Sequence, residues 1–159
     1  MIPIPLTNRP DEFALVDLCD FEAVMAHEWY FTAGYVHATD STVGSLHRFV
    51  AGRMGIDGQT IDHINRSGLD NTRANLRAAT VAQNGWNAVR KLGASGFPGV
   101  HRNRSAWAVR FDFMGAPVYF GTHRDLAVAR RIAAMAILKL KGEFLPAETL
   151  ALLQKEVQP

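Results

Sequence analysis

The chain has one cysteine, Cys19, in 159 residues. A single thiol cannot close a disulfide within the chain or supply several thiolates to a zinc ion, and it fits a reducing cytoplasmic setting. No uncharged apolar run reaches the roughly 18 residues of a membrane span, so no membrane partner is expected. The opening residues, 1–13, lack a basic stretch followed by an apolar one and do not read as a secretory signal. There is no internal repeat and no low-complexity tract, and 48% hydrophobic residues is a globular content. Basic residues are scarce at the start: residues 1–44 hold Arg9 against seven acidic residues, whereas residues 45–159 hold sixteen basic and eight acidic ones. The net charge of +2 hides this division. Only the later part can attract a polyanion, although the same cations would also serve to solvate helix faces.

Residues 1–44 read as a small α+β lead-in. It has a strand over Phe13–Val16, a helix over residues 21–27 capped by Asp20, and a strand pair, residues 29–31 and 34–37, around a turn. Residues 46–54 form a helical pattern with Leu46, Phe49, Val50 and Met54 on one face. Residues 60–89 read as strand, loop, strand and helix, with the second strand over residues 76–79. Thr80 and Gln83 have capping-box spacing. Gly93, Ser95, Gly96 and Pro98 punctuate a linker over residues 90–98. Three strands follow, over residues 99–102, 107–113 and 118–121, then an amphipathic helix from Asp125 to Lys141 that buries Ala129, Ile132, Ala133, Ala136, Ile137 and Leu140. Gly142 ends it, and a short helix over residues 147–156 completes the chain.

The chemistry lies between Ile61 and Asn87. Asp62 and His63 end a short apolar stretch, a polar loop holds Asn71 and Asn75, and Asn84 lies early in the next helix. Hydrolysis of a phosphodiester needs a base for water, a cation on the scissile phosphate and stabilisation of the leaving 3′ oxygen. A hard cation held by a carboxylate, an amide and the substrate supplies the last two, and it keeps waters of its own. Histidine suits the base. Adjacent residues on a strand point to opposite sides, so a twist at the strand end is needed for Asp62 and His63 to share one site. The bland alternatives are that the asparagines cap turns, for which Asn75 is as well suited as for catalysis, and that Arg73 and Arg77 are surface charge rather than phosphate contacts. His47 reads as structural or phosphate-contacting.

The order Asp62-His63-Ile64-Asn65, Leu69-Asp70-Asn71, Asn75-Leu76-Arg77 and Gln83-Asn84 resembles the HNH homing endonucleases, the phage and intron-encoded branch with a ββα-metal fold. Leu46-His47-Arg48 is similar to that family's lead-in helix. The resemblance implies that Asp62 and Asn84 bind a divalent metal, Mg²⁺ or Mn²⁺, that His63 is the general base, and that Asn75 orients it or stabilises the loop. Asn71 matches a second polar position of the loop.

Residues 97–144 interleave basic and aromatic residues on the three strands, and Arg102, Arg104, Trp107 and Arg110 are candidates to meet DNA from one sheet face. Trp107 shares its parity with Phe111 and Phe113, which read as core beneath the helix. The pieces Gly99-Val100, Trp107-Ala108-Val109, Tyr119-Phe120-Gly121-Thr122 and Lys141-Gly142-Glu143-Phe144 resemble the DNA-binding domain of plant ethylene-response factors (APETALA type), with Asp112 where that family often has arginine.

The expected fold is α+β: a lead-in (1–44), a ββα-metal nuclease core (45–89), a linker (90–98), a three-stranded antiparallel sheet packed on one long helix (99–144) and a C-terminal helix (145–159). The expected function is a metal-dependent DNA endonuclease of phage or mobile-element type, acting in the cytoplasm of a bacterial or phage-infected host on double-stranded DNA. One site per chain implies a nick, or a double-strand break from a homodimer. The alternatives are a non-catalytic sequence-specific DNA-binding protein derived from such a nuclease, an RNA-binding or RNA-cleaving module, and a metal-binding interaction domain.

Overall fold

A hairpin opens the chain, with β1 (Ile2–Leu6) antiparallel to β2 (Arg9–Val16). The sequence pattern predicts only the end of β2. Pro3 and Pro5 disguise β1, because proline is confined to sheet edges, and in a sheet of two strands every strand is an edge. Helix α1 (Leu18–Met25) begins at Asp17 instead of Asp20. Asp20 lies inside the first turn and is fully buried. The Trp29 indole N–H donates to the Val24 carbonyl at 2.8 Å and ties the helix end to the next strand. The hairpin of β3 (Trp29–Thr32) and β4 (Tyr35–Ala38) falls where its turn residues put it. Helix α2 (Leu46–Arg53) buries Leu46 and Val50 of the predicted stripe together with Ala51, while Phe49 is half-buried and Met54 lies just past its end.

Strands β5 (Thr60–His63) and β6 (Leu76–Ala79) then pair antiparallel, with Asp62 opposite Arg77 and His63 opposite Leu76. Helix α3 (Val81–Trp86) follows. The capping box forms: Gln83 N–H donates to Thr80 Oγ1 at 3.2 Å and Thr80 N–H to Gln83 Oε1 at 2.8 Å.

The structure is a computed structural model that describes residues 1–158. Contacts divide it after Asn84 into two units. In the first, Ile4, Val16, Val24, Trp29 and Val36 of the lead-in share one apolar cluster with Leu46, Val50, Ile61 and Leu76. The lead-in also pins the loop between β5 and β6. Leu15 N–H donates to Leu69 O at 2.7 Å and Asn71 N–H to Leu15 O at 2.8 Å. Gly68 of that loop is pressed on the β3–β4 turn, so that a Cβ there would collide with Gly34 O. Residues 1–44 are therefore built into the unit that carries Asp62 and His63.

In the second unit β7 (Val100–Asn103), β8 (Ala106–Phe113) and β9 (Ala116–His123) form an antiparallel sheet in that order. Ala108 faces Thr122 but Arg110 faces Tyr119, so β9 carries one extra residue, and Gly121 at φ 94° accommodates it. Helix α4 (Leu126–Lys141) is capped by Asp125, whose carboxylate accepts from Ala127 N–H at 2.7 Å, and α5 (Ala147–Val157) follows. Ala129, Ala133, Ala134, Ile137 and Leu153 form its core with Phe97, Val100 and Val109. The predicted helix stripe is rotated slightly, because Ala134 is buried and Leu140 is not fully so. The expected linker is part of this unit: Ser95 and Phe97 are buried, and Ser95 Oγ donates to Val100 O at 2.7 Å. Among the described residues no helix is long and apolar enough to cross a membrane.

Candidate active site

His63 closes β5, and the chain turns directly after it, with Arg66 N–H donating to His63 O at 2.9 Å. The imidazole is 5% exposed. Its Nε2 lies 3.2 Å from Asn71 Oδ1. Asn71 is fully buried, and its Nδ2 donates to Gly68 O at 3.2 Å. The amide oxygen therefore faces the ring and Nε2 carries the proton, which puts the lone pair of the neutral ring on Nδ1. In this tautomer the neutral ring can take up a proton only at Nδ1. Burial pushes the His63 pKa below the usual histidine value, against the Asn71 bond and the nearby Asp62 and Asp70, which raise it.

Asp62 looks elsewhere, as strand alternation dictates. It is 3% exposed, and Arg77, its partner across the ladder, donates through Nε at 2.8 Å to Oδ2 and forms an ion pair with the same oxygen, Nη2 lying 2.7 Å from it. The carboxylate acts on His63 electrostatically.

Asn75 braces the loop. Its Oδ1 accepts from Asn65 N–H at 2.9 Å and its Nδ2 donates to Asp70 O at 2.7 Å. Asp70 Oδ1 in turn accepts from Thr72 Oγ1 at 2.8 Å. The amide on His63 thus belongs to Asn71, while Asn75 holds the shape of the loop that presents it. Asn84 is half-buried near the middle of α3, and its side chain makes no hydrogen bond among the described residues.

Two rings complete the surroundings of His63. His47 of α2 lies 5.2 Å away between centroids and Tyr35 of β4 5.9 Å away, with 5.2 Å between Tyr35 and His47. His47 Nδ1 is buried without a hydrogen-bond partner, and burial, then His63, Arg48 and His37, push its pKa down to about 4.

Sequence reasoning overlooked Tyr35 and the anchoring role of Asp20. Arg73 donates through Nε at 2.7 Å and Nη2 at 2.8 Å to the two Asp20 oxygens, and Arg53 Nε donates at 2.7 Å to Oδ1. Arg73 first, then Arg53, hold the Asp20 carboxyl down to about 2 despite its burial. Arg73 and Arg77, expected at the DNA surface, are thus engaged by Asp20 and Asp62. No local pattern links Asp20 to partners 33 and 53 residues away. The Asp70-Asn71-Thr72 turn was findable from its Asp-x-Thr spacing.

The donor set can be tested against a cation. Arg77 engages Asp62 through Oδ2, and a carboxylate has about four lone-pair sites over two oxygens, so this one ion pair does not by itself exhaust its capacity. The Asn84 amide is not consumed by internal bonds. No group of three or more His, Cys, Asp or Glu that could hold a metal exists among the described residues. One carboxylate and one amide suit a hard cation that retains waters.

In the second unit the four expected DNA contacts do not share a face. Arg102 and Trp107 are cross-strand partners, the guanidinium 4.8 Å from the indole, and Trp107 packs on the core with Phe111. Arg110 is three positions on, an odd number, and so points to the other side with Tyr119. Arg104 sits in the β7–β8 turn at φ 52°, and its carbonyl accepts from Arg102 Nε at 2.8 Å. The outward face therefore carries Arg110 and exposed Tyr119, with Asp112 beside them.

In part, the chain is similar to an HNH endonuclease. An uncharacterized HNH endonuclease of Acanthamoeba polyphaga mimivirus is 37% identical over 81 residues, which cover 47% of this chain and 43% of that protein. The chain thus spans less than half the length of this curated relative. No protein-family model matches the chain. No solved structure matches it either.

Proposed function

We propose that the chain is a metal-dependent DNA endonuclease with a ββα-metal site formed by β5, β6 and α3. The observation that carries this reading is the buried Asn71–His63 pair, at 3.2 Å, which fixes the tautomer of a histidine directly after an aspartate. The partial likeness to a protein named HNH endonuclease supports it.

His63 Nδ1 accepts the proton of the attacking water, while Asn71 steadies the Nε2–H side as the ring becomes an imidazolium. Asn75 keeps the loop closed, and Asp62 and Asn84 are the residues that would hold Mg²⁺ or Mn²⁺. Bound there, such an ion would supply charge neutralisation to the scissile phosphate and the leaving 3′ oxygen. Arg110, Tyr119 and Arg104 of the second unit contact duplex DNA and position it, in the manner of the ethylene-response-factor sheet. One site per chain nicks; cleavage of both strands takes two copies.

A second reading has one observation in its favour. The Asp62–Arg77 ion pair already neutralises the carboxylate, as in a nuclease descendant that binds DNA without cutting it. Relaxation of supercoiled plasmid in Mg²⁺ or Mn²⁺, beside EDTA and His63→Ala, separates the two. Nicking that disappears in both controls supports the endonuclease. Gel retardation of duplex without any metal-dependent nicking overturns it in favour of the binding protein.

A further inference from the structure

The second unit holds a cleft of about 370 Å³ between residues 85–93, the β7–β8 end of the sheet and the C-terminal turn of α4. That size lies in the range of small-molecule sites. Its lining is uneven. Phe97, Pro98, Ile137 and Leu145 make an apolar part, and Arg90, Lys91, Arg110 and Lys141 bring four cations against one acid, Asp112.

Lys141 is the unusual member. Its ammonium is half-buried, 5.4 Å from the Trp86 ring centroid and 5.0 Å from that of Phe111. It has no hydrogen bond or ion pair among the described residues. Burial and then Arg90 lower its pKa, while Asp112 raises it without reaching ion-pair distance. The negative end of α4 and the two rings hold the cation in place, yet neither supplies the hydrogen-bond acceptors that an ammonium surrenders when it leaves water. The matching ligand group is a phosphate, whose several oxygens serve ammonium and guanidinium donors together.

The remainder of the cleft narrows the choice. An apolar wall takes a flat organic body, and the exposed Asp112 carboxylate beside it can accept from an N–H donor. A fatty acid offers the anion and the apolar body but no donor. A nucleobase with an amino group offers both face and donor. We propose that this cleft binds a nucleotide, with the phosphate on Lys141 and Arg90 and an amino-bearing base between the apolar wall and Asp112. The site is independent of the cleavage reading and needs no metal.

Trp86 lines the cleft, whereas Trp29 lies in the first unit, so fluorine NMR of the full chain labelled with 5-fluorotryptophan reads the site directly. In EDTA, deoxyadenosine monophosphate is expected to shift the Trp86 signal saturably and to leave Trp29 in place. Lys141→Gln is expected to weaken binding at least tenfold, and Lys139→Gln, on the same helix outside the cleft, to leave it unchanged. Should Lys141→Gln fail to fold, Arg90→Gln at an exposed position is expected to weaken binding in the same direction. Tighter binding of an eight-residue deoxyadenosine strand assigns the site to strand-borne nucleotides; equal or weaker binding assigns it to free ones. No Trp86 response to either nucleotide overturns the proposal. So does an equal response to inorganic phosphate or dodecanoate, or equal damage from Lys139→Gln.

Discussion

Residues 1–84 bury Asp20, Ser45, Asp62, His63, Asn71, Thr72 and Asn75, whereas among the described residues of the second unit only Asn87 and Ser95 are buried polar residues. The core of the second unit follows the ordinary rule, with alanines, valines and Ile137 inside, and no cation among its described residues is fully buried. The first places charges and amides where they must be paired with one another. Buried polar groups cost free energy unless every member finds partners. The β2 contacts to the loop, the Asp20 cluster and the Asn75 brace are those partners. The first unit has spent its lead-in on holding a polar site rigid, and the second has kept most of its polar groups for the outside.

The comparison is best broken at His63. His63→Ala is expected to reduce metal-dependent nicking by about a thousandfold, within the range of a lost general base, with little change in duplex retardation. A comparable loss of retardation would mean that the first unit binds DNA and that the division of labour is wrong.

Removing one partner of a buried ion pair costs several kcal/mol. Arg53 and Arg73 are 39% and 36% exposed and regain water when Asp20 is removed, so Asp20→Ala is expected to cost less, about 3 kcal/mol, in urea unfolding followed by Trp29. Leu153→Ala is expected to cost a similar amount, about 3 kcal/mol, but to appear in hydrogen exchange of residues 85–158.

Acid separates the units as well. The Asp20 carboxyl is held down to about 2, so its stabilisation is present above the ordinary carboxylate range and is lost as pH falls from about 4 to about 2. Asp20→Asn should remove that step. His47, held down to about 4, acts earlier. The unfolded chain takes up its proton first, so stability declines as pH falls from about 6.5 to about 4. His47→Gln should flatten this part, as followed by the urea midpoint against pH.

A smaller effect divides the two asparagines. Asn71→Ala is expected to reduce nicking more than stability, and Asn75→Ala to cost about 1–2 kcal/mol through two lost loop bonds and to slow nicking only as the loop loosens. Equal effects in both assays would merge their roles. The smallest change is expected for Arg110→Ala: the slope of log binding constant against log salt should fall by about one unit, with the first unit unaffected.

Much of the local structure was legible. The Thr80–Gln83 cap, β6, the Asp125 cap and the β3–β4 turn follow from side chains that act on backbone groups a few residues away. The β1 strand was not legible, because its prolines carry the signature of a loop until a partner strand makes them edge residues. The helix start at Asp17 was missed because Asp20 also satisfies the local rule for a cap, and its burial by Arg53 and Arg73 depends on residues far along the chain. For the candidate site, the residue types and their order were readable. The identity of the amide on His63 was not, since Asn71 and Asn75 are both loop asparagines with equal claims by spacing.

By itself the sequence determined where the elements lie, which histidine follows which aspartate, and that the basic charge begins after residue 44, because these depend on neighbours and on counting. Tertiary structure alone decided that Arg77 sits on Asp62, that Asn71 sets the tautomer of His63, and that Arg102 and Arg110 part company across the sheet. Those outcomes depend on strand register and on loop closure, which bring together groups that no short stretch of sequence can compare.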